Sequence, residues 1–226
     1  MYRLWYDEKG KKELAVNELV EKIKNNDFPV LFKKKNIKKL GFNENDIEYL
    51  LKDALMSKYI IKVYEDIYTL ARMYRKSLVS ECVLAQMLVP ESYISTYYIL
   101  SDVSWIPEAV YNITSITNNK KATIDTEYFG SYKFENIKDG FSLKGVYLEE
   151  NDNGEYLRAK PLKALCDYIL IYKKEWDKIG YLVDHLRINY DVLEELTSSD
   201  FDEIQGSFGI KNVENFIRGV RKELRI

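Results

Sequence analysis

An α+β chain of two domains is the architecture this sequence predicts: an N-terminal winged helix-turn-helix, then a mixed domain with a mostly antiparallel sheet and flanking helices. Three observations predict it. Residues 33–70 run as a lysine-rich helix, a glycine turn, an amphipathic helix and two β-branched stretches. From Tyr111 the apolar period changes from helical to alternating, and after Pro161 it becomes helical again, an order typical of α+β domains. Charge divides the chain in the same place, with 17 Lys and Arg against 12 Asp and Glu in residues 1–76 and 17 against 24 in residues 77–226. The expected domains are therefore 1–76 and 77–226, the second with a helical tail from about residue 177.

In the first domain, Val16, Leu19, Val20 and Ile23 recur at i, i+3, i+4, i+7, which predicts a helix from about Lys12 to Asn25. Asn25, Asn26 and Asp27 end it, and Phe28-Pro29-Val30 is extended because a residue before proline is pushed out of the helical region. Lys33, Lys34, Lys35, Lys38 and Lys39 then fall on a short helix whose apolar anchors are Ile37 and Leu40, and Gly41 supplies a sharp turn. Asn43 suits the N-cap of the next helix, whose stripe of Ile47, Leu50, Leu51, Ala54 and Leu55 faces a core. Ile60 to Tyr64 and Ile67 to Leu70, separated by Glu65 and Asp66, pair as a hairpin that would be the wing.

The second domain opens with an apolar helix, Leu78 to Val89, stopped by Pro90. Ser92 caps another, Tyr93 to Val103, that ends at Trp105-Ile106-Pro107. Alternation at 112–117, 121–128, 132–137, 141–148 and 155–158 predicts four or five strands, with turn residues at Asn118-Asn119, Gly130, Asp139-Gly140 and Asn151 to Gly154. Pro161 suits the first turn of a helix with the stripe Leu162, Leu165, Cys166 and Ile169; Ile179, Leu182, Val183 and Leu186 make a second. Val192, Leu193 and Leu196, then Phe201 and Ile204, then Val213, Phe216, Ile217 and Val220 mark three more.

Apolar residues at 46% and charged ones at 31% suit a folded protein in water, and no apolar run approaches the roughly 18 residues of a membrane span. Met1 to Lys12 is polar, so the expected compartment is the cytoplasm, with no membrane partner. Enzyme signatures are sparse. There is one histidine, His185, and the two cysteines, Cys82 and Cys166, lie far apart among apolar neighbours, which suits free thiols and leaves too few ligands for zinc. No GxxxxGK[ST] or GxGxxG loop is present. Asp125 and Glu127, two apart on one expected strand, share a face where a metal-dependent nuclease would hold an ion, yet no Glu-x-Lys follows them; two solvated carboxylates explain them as well. The 19 tyrosines follow a general compositional bias. The expectation is a protein that is not an enzyme and needs no cofactor.

A helix, tight turn, helix and hairpin commonly presents its second helix to the major groove of DNA while flanking elements touch phosphates. On this basis Lys33, Lys34, Lys35, Lys38, Lys39, Lys58 and Lys62 are expected on the backbone, Asn43 and Asn45 on adenine, and Lys52 on guanine or phosphate. Glu44, Asp46, Glu48 and Asp53 weigh against it, since they repel phosphate, although acids in a first turn also suit the helix dipole. The same acids would suit a helix-turn-helix used only for protein docking.

Further along, Pro90-Glu-Ser-Tyr-Ile-Ser95, Trp105-Ile-Pro-Glu108, Ile113-Thr-Ser-Ile-Thr117, Gly130-Ser-Tyr-Lys-Phe134 and Ala159-Lys-Pro-Leu-Lys-Ala-Leu-Cys-Asp167 occur in one order. In that series the chain resembles the AbiEi-type antitoxins of abortive-infection (type IV) toxin-antitoxin systems, which serve in phage defence and double as transcriptional regulators. The resemblance spans about residues 87–187 behind the generic winged helix. Leu162 stands where the family usually has Glu, and Asn118 to Lys121 replaces a more arginine-rich turn. The resemblance implies a cytoplasmic protein that represses its own operon by binding inverted repeats in its promoter. It also implies neutralisation, directly or indirectly, of a nucleotidyltransferase-like toxin. Inverted repeats would suit two or more copies on the DNA.

Overall fold

The fold is described from a computed structural model, which covers the backbone of residues 2–25 and 28–226 and the side chains of 13–25 and 28–226. Helices and two sheets make it an α+β protein, and antiparallel pairings outnumber parallel ones. The chain forms two compact units. One holds residues 1–84 with 126–129 and 151–154; the other holds 85–125, 130–150 and 155–226.

The first unit starts with helix α1, Tyr2–Asn25, about ten residues longer at its start than the apolar stripe requires. The stop signal at Asn26 and Asp27 lies outside the described residues. Strand β1 (Leu31–Lys33), helix α2 (Lys34–Ile37), a 3-10 turn (Lys38–Leu40), helix α3 (Glu44–Met56) and strands β2 (Ile60–Tyr64) and β3 (Ile67–Leu70) follow. β2 and β3 form the expected hairpin, with a bulge between Lys62 and Tyr64. No strand is expected at residues 31–33, and Lys33 is expected on the short helix, but these residues form β1, which pairs antiparallel with the far side of β3, Leu31 opposite Thr69, giving the order β1-β3-β2. Val16, Leu19, Val20 and Ile23 from α1 meet Ile47, Leu51 and Ala54 from α3 in one core floored by Phe32, Ile60 and Tyr68. The helical stripes expected from the sequence are thus the buried faces.

The chain continues through α4 (Glu81–Leu88), β4 (Ser92–Ile94), α5 (Thr96–Asp102), β5 (Ile113–Thr117), β6 (Ala122–Thr126), β7 (Gly130–Asn136), β8 (Val146–Asn151) and β9 (Gly154–Ala159). They make a six-stranded sheet of order β6-β7-β5-β4-β9-β8. β4 runs antiparallel to β5 and parallel to β9, and β5 runs parallel to β7. Turns of two and three residues join β8 to β9 and β6 to β7, which only antiparallel neighbours allow.

The sixth strand, β4, corrects the expectation that Ser92 caps a helix with Tyr93 inside it. Three residues are too short to show a period, and what holds them extended is pairing on both sides, with Tyr93 and Ile94 buried. Helix α5 begins only at Thr96, whose φ of 57° is an uncommon conformation for a β-branched residue. Phe141, expected on a strand, instead packs its ring 5.8 Å from Tyr93 ahead of β8. Helix α6 (Pro161–Ile171) carries Pro161 in its first turn, buries Leu162, Leu165, Cys166 and Ile169, and packs on α5 and on α10 (Lys211–Leu224). Short helices α7 (Gly180–Asp184), α8 (Tyr190–Glu194) and α9 (Ser198–Ile204) lie between.

Candidate nucleic-acid interface

The approach to α3 is built from the lysine-rich segment. Lys33 closes β1, and its backbone N–H donates to Asn36 Oδ1 at 2.7 Å, which starts α2. Ile37 pins α2 to the core. The chain then reverses at Gly41, whose φ of 83° glycine adopts without steric cost. Lys22 of α1 steadies the turn from below, donating to the Leu40 carbonyl at 3.2 Å and lying 4.4 Å from the Phe42 ring centroid. Asn43 stands at the N-cap, where its carbonyl accepts from Asp46 and Ile47, but its side chain makes no capping bond and stays exposed.

The lysines separate into two groups. The Lys34 ammonium lies 3.4 Å from Glu48, and the Lys38 ammonium 2.5 Å from Glu44. The hydrogen bond from Lys38, with its charge, holds the Glu44 carboxyl below the usual carboxylate range. These bridges tie the lysine segment to α3 and neutralise two of the acids that weighed against a phosphate partner. Their exposure keeps their contribution to stability small. Lys35, Lys39, Lys52, Lys58 and Lys62 are exposed, and among the described residues they take part in no ion pair.

The ten residues named from the sequence do not form one patch. Lys33 and Lys34 are half-buried beside the hairpin, where Asp66 accepts the Lys34 backbone N–H at 3.3 Å. Asn43, Asn45 and Lys38 sit around the start of α3. Lys58 follows its far end, and 13 helical residues span about 20 Å. Lys62 lies on β2 opposite Tyr68. Along the outward face of α3 run Asn45, Tyr49, Lys52 and Met56, and Tyr49 and Met56 are 72% and 73% exposed. Neither of these two is among the residues expected from the sequence. Their signal is there, since both are large apolar side chains off the core stripe.

A second cluster, also absent from the sequence expectations, lies under the six-stranded sheet. Lys163 and Asp167, both 0% exposed, form an ion pair of 2.6 Å one turn apart on α6. Lys163 also donates to Tyr93 Oη at 2.8 Å and lies 4.3 Å from the Phe208 ring centroid, and Ser95 Oγ donates to Asp167 at 2.7 Å. Burial, with the Asp167 charge, pushes the Tyr93 phenol and the Cys166 thiol up. A buried, hydrogen-bonded network of this kind orders a core. Lys and Asp at i, i+4 inside an apolar helix are its sequence signal.

The other candidates are dispersed. Asp125 is exposed near the end of β6, but Glu127 falls in the turn beyond it, so the shared strand face is lost. Among the described residues no group of three His, Cys, Asp or Glu could hold a metal ion, and no helix is long and apolar enough to cross a membrane. Among the described residues neither cysteine is in a disulfide; Cys166 is buried and Cys82 half-buried. His185 is exposed, its ring 5.2 Å from that of Tyr181. No family model matches the chain, and no curated protein matches it.

Proposed function

We propose that this protein is a DNA-binding transcriptional repressor of its own operon and the antitoxin of that operon, acting in the cytoplasm against a nucleotidyltransferase-like toxin. The observation that carries the DNA half is the arrangement in the first unit: α1, the lysine segment, α3 and a β2-β3 hairpin, with β1 on the far edge of β3. That arrangement supports reading the unit as a winged helix-turn-helix, with α3 as the element for the groove and the hairpin as the wing. Lys35, Lys39, Lys58 and Lys62 supply exposed cations without carboxylate partners among the described residues, so they are the residues to place on phosphates. Asn45 and Lys52 are the side chains to place on bases.

The antitoxin half rests on the resemblance, and one feature of the fold supports it. The stretches that carry the resemblance at 90–95, 113–117, 130–134 and 159–167 are neighbours in space: β4, β5 and β7 are successive strands, and α6 joins β4 through Tyr93 and Ser95.

The test is binding of the protein to duplex DNA from upstream of its own gene, followed by fluorescence anisotropy. Changing Lys35, Lys39, Lys58 and Lys62 together to alanine should weaken binding at least tenfold while leaving the circular dichroism spectrum intact. Unchanged affinity would remove this surface. For the antitoxin half, co-expression with a neighbouring nucleotidyltransferase-like toxin should restore growth, and continued arrest would count against it. A second reading, a helix-turn-helix that docks protein, is favoured by the exposure of Tyr49 and Met56.

A further inference from the structure

Between α1 and α3 lies an open groove of about 820 Å³. Its floor is apolar, made by Ala15 of α1, Phe42 of the turn and Leu50 of α3, with Tyr49 and Met56 on its α3 side. Tyr49 and Met56, two large apolar side chains left in water along one groove, are a feature that monomeric surfaces usually avoid. The rim is acidic. Glu18, Asp46 and Asp53 line it with Lys52 as the basic residue. Glu18 is bridged by Lys22 at 3.0 Å, whereas Asp46 and Asp53 meet no cation at ion-pair distance among the described residues.

We infer that this groove takes an amphipathic α-helix of a protein partner, with an apolar face for the floor and lysine or arginine along its flanks. The shape argues for a helix, because a furrow between two packed helices accepts the side-chain ridge of a third. Asp46, Tyr49, Leu50, Asp53 and Met56 span eleven residues of α3, about 15 Å end to end at 1.5 Å per step, which a partner helix of about three turns would match. Charge argues for the sign: two unpaired carboxylates attract a basic flank and repel an acidic one. The same charges oppose a second copy of this face, which would set Asp46 and Asp53 against their own equivalents. On the DNA reading, helix and duplex exclude each other, because Tyr49, Lys52 and Met56 belong to both surfaces; a partner seated here would release the operator.

The experiment uses the full chain and two synthetic 14-residue helical peptides with the same leucine face, one flanked by lysines and the other by glutamates. The lysine peptide should bind saturably and the glutamate peptide at least tenfold more weakly. Hydrogen exchange should slow in residues 15–18 and 46–56. Asp46→Asn with Asp53→Asn, and separately Tyr49→Ala with Met56→Ala, should each weaken binding at least fivefold; three of the four positions are exposed, Asp53 is half-buried, and none belongs to the core. Equal binding of both peptides, protection elsewhere in the chain, or unchanged affinity in both variants would overturn the inference. DNA is absent from this assay, so a protein that binds its operator but not the peptide loses only the groove, and the reverse result loses only the repressor reading.

Discussion

Lys163 and Asp167 hold the most consequential pair of charges in the protein, because neither reaches water. Removing one partner strands the other in a medium that cannot solvate it, which for buried pairs costs about 3–5 kcal/mol. Asp167→Ala and Lys163→Met should therefore each lower the unfolding free energy by about that amount in urea titrations. The double variant Lys163→Met with Asp167→Ala should lose less than the singles summed, by about 0.5–3 kcal/mol of coupling. Strict additivity would mean that the pair does not act as a unit. Asp200 is a milder case. Its carboxylate accepts from the Thr197 hydroxyl at 2.6 Å and the Thr197 N–H at 2.8 Å, and these bonds hold it below its ordinary value of 3.8. A depressed carboxyl stabilises the fold above its unfolded value and loses that contribution as the pH falls through the folded one. Asp200→Ala should cost no more than about 1 kcal/mol near neutrality, and the melting points of variant and wild type should converge in acid. A gap that persists there would point to packing in place of charge.

At the scale of elements, helix α10 shows how far a periodic pattern carries. Val213, Phe216, Ile217 and Val220 are all buried, as their spacing requires. The pattern does not reveal why residue 219 is glycine. The Trp176 indole lies directly over it, edge-on to Phe216 with ring centroids 5.5 Å apart, and a Cβ at 219 would overlap the indole's ring atoms. Gly219→Ala improves helix propensity by about 1 kcal/mol, yet it should destabilise the protein by about 1–3 kcal/mol through overpacking, with Trp176 fluorescence displaced. A more stable Gly219→Ala protein would mean that the indole is free to leave. Strands behave differently. Alternation and turn residues mark β5, β6, β7 and β9, and β8 (Val146–Asn151) in its first three residues only, but β1 and β4, at three residues each, carry too little pattern and owe their state to neighbours from elsewhere in the chain.

For the whole molecule the governing quantity is charge. A surplus of five positive charges in residues 1–76 and of seven negative ones after them suits a polyanion that meets only the first part of the chain. Affinity for duplex DNA should fall steeply with salt. The variant without Lys35, Lys39, Lys58 and Lys62 should have a log–log slope shallower by about three to four, near 0.9 for each phosphate it no longer neutralises. An equal slope would place the phosphate-binding cations elsewhere. The candidate site was legible in part. The lysines could be named from the sequence, but the diversion of Lys34 and Lys38 to Glu48 and Glu44 could not, because those pairs depend on where α2 comes to rest against α3.

The sequence by itself determined what is local: the α3 and α10 stripes, the turn at Gly41, the start of α6 at Pro161 and the hairpin of β2 with β3. Each depends on residues within a turn or two of one another, where period and backbone preference act directly. Only the tertiary structure decided which edge of β3 receives β1, that β4 enters between β5 and β9, and that Ser95 reaches Asp167 across 72 positions. Those outcomes follow from burying several elements against one another at once, and no single stretch of the chain contains that information.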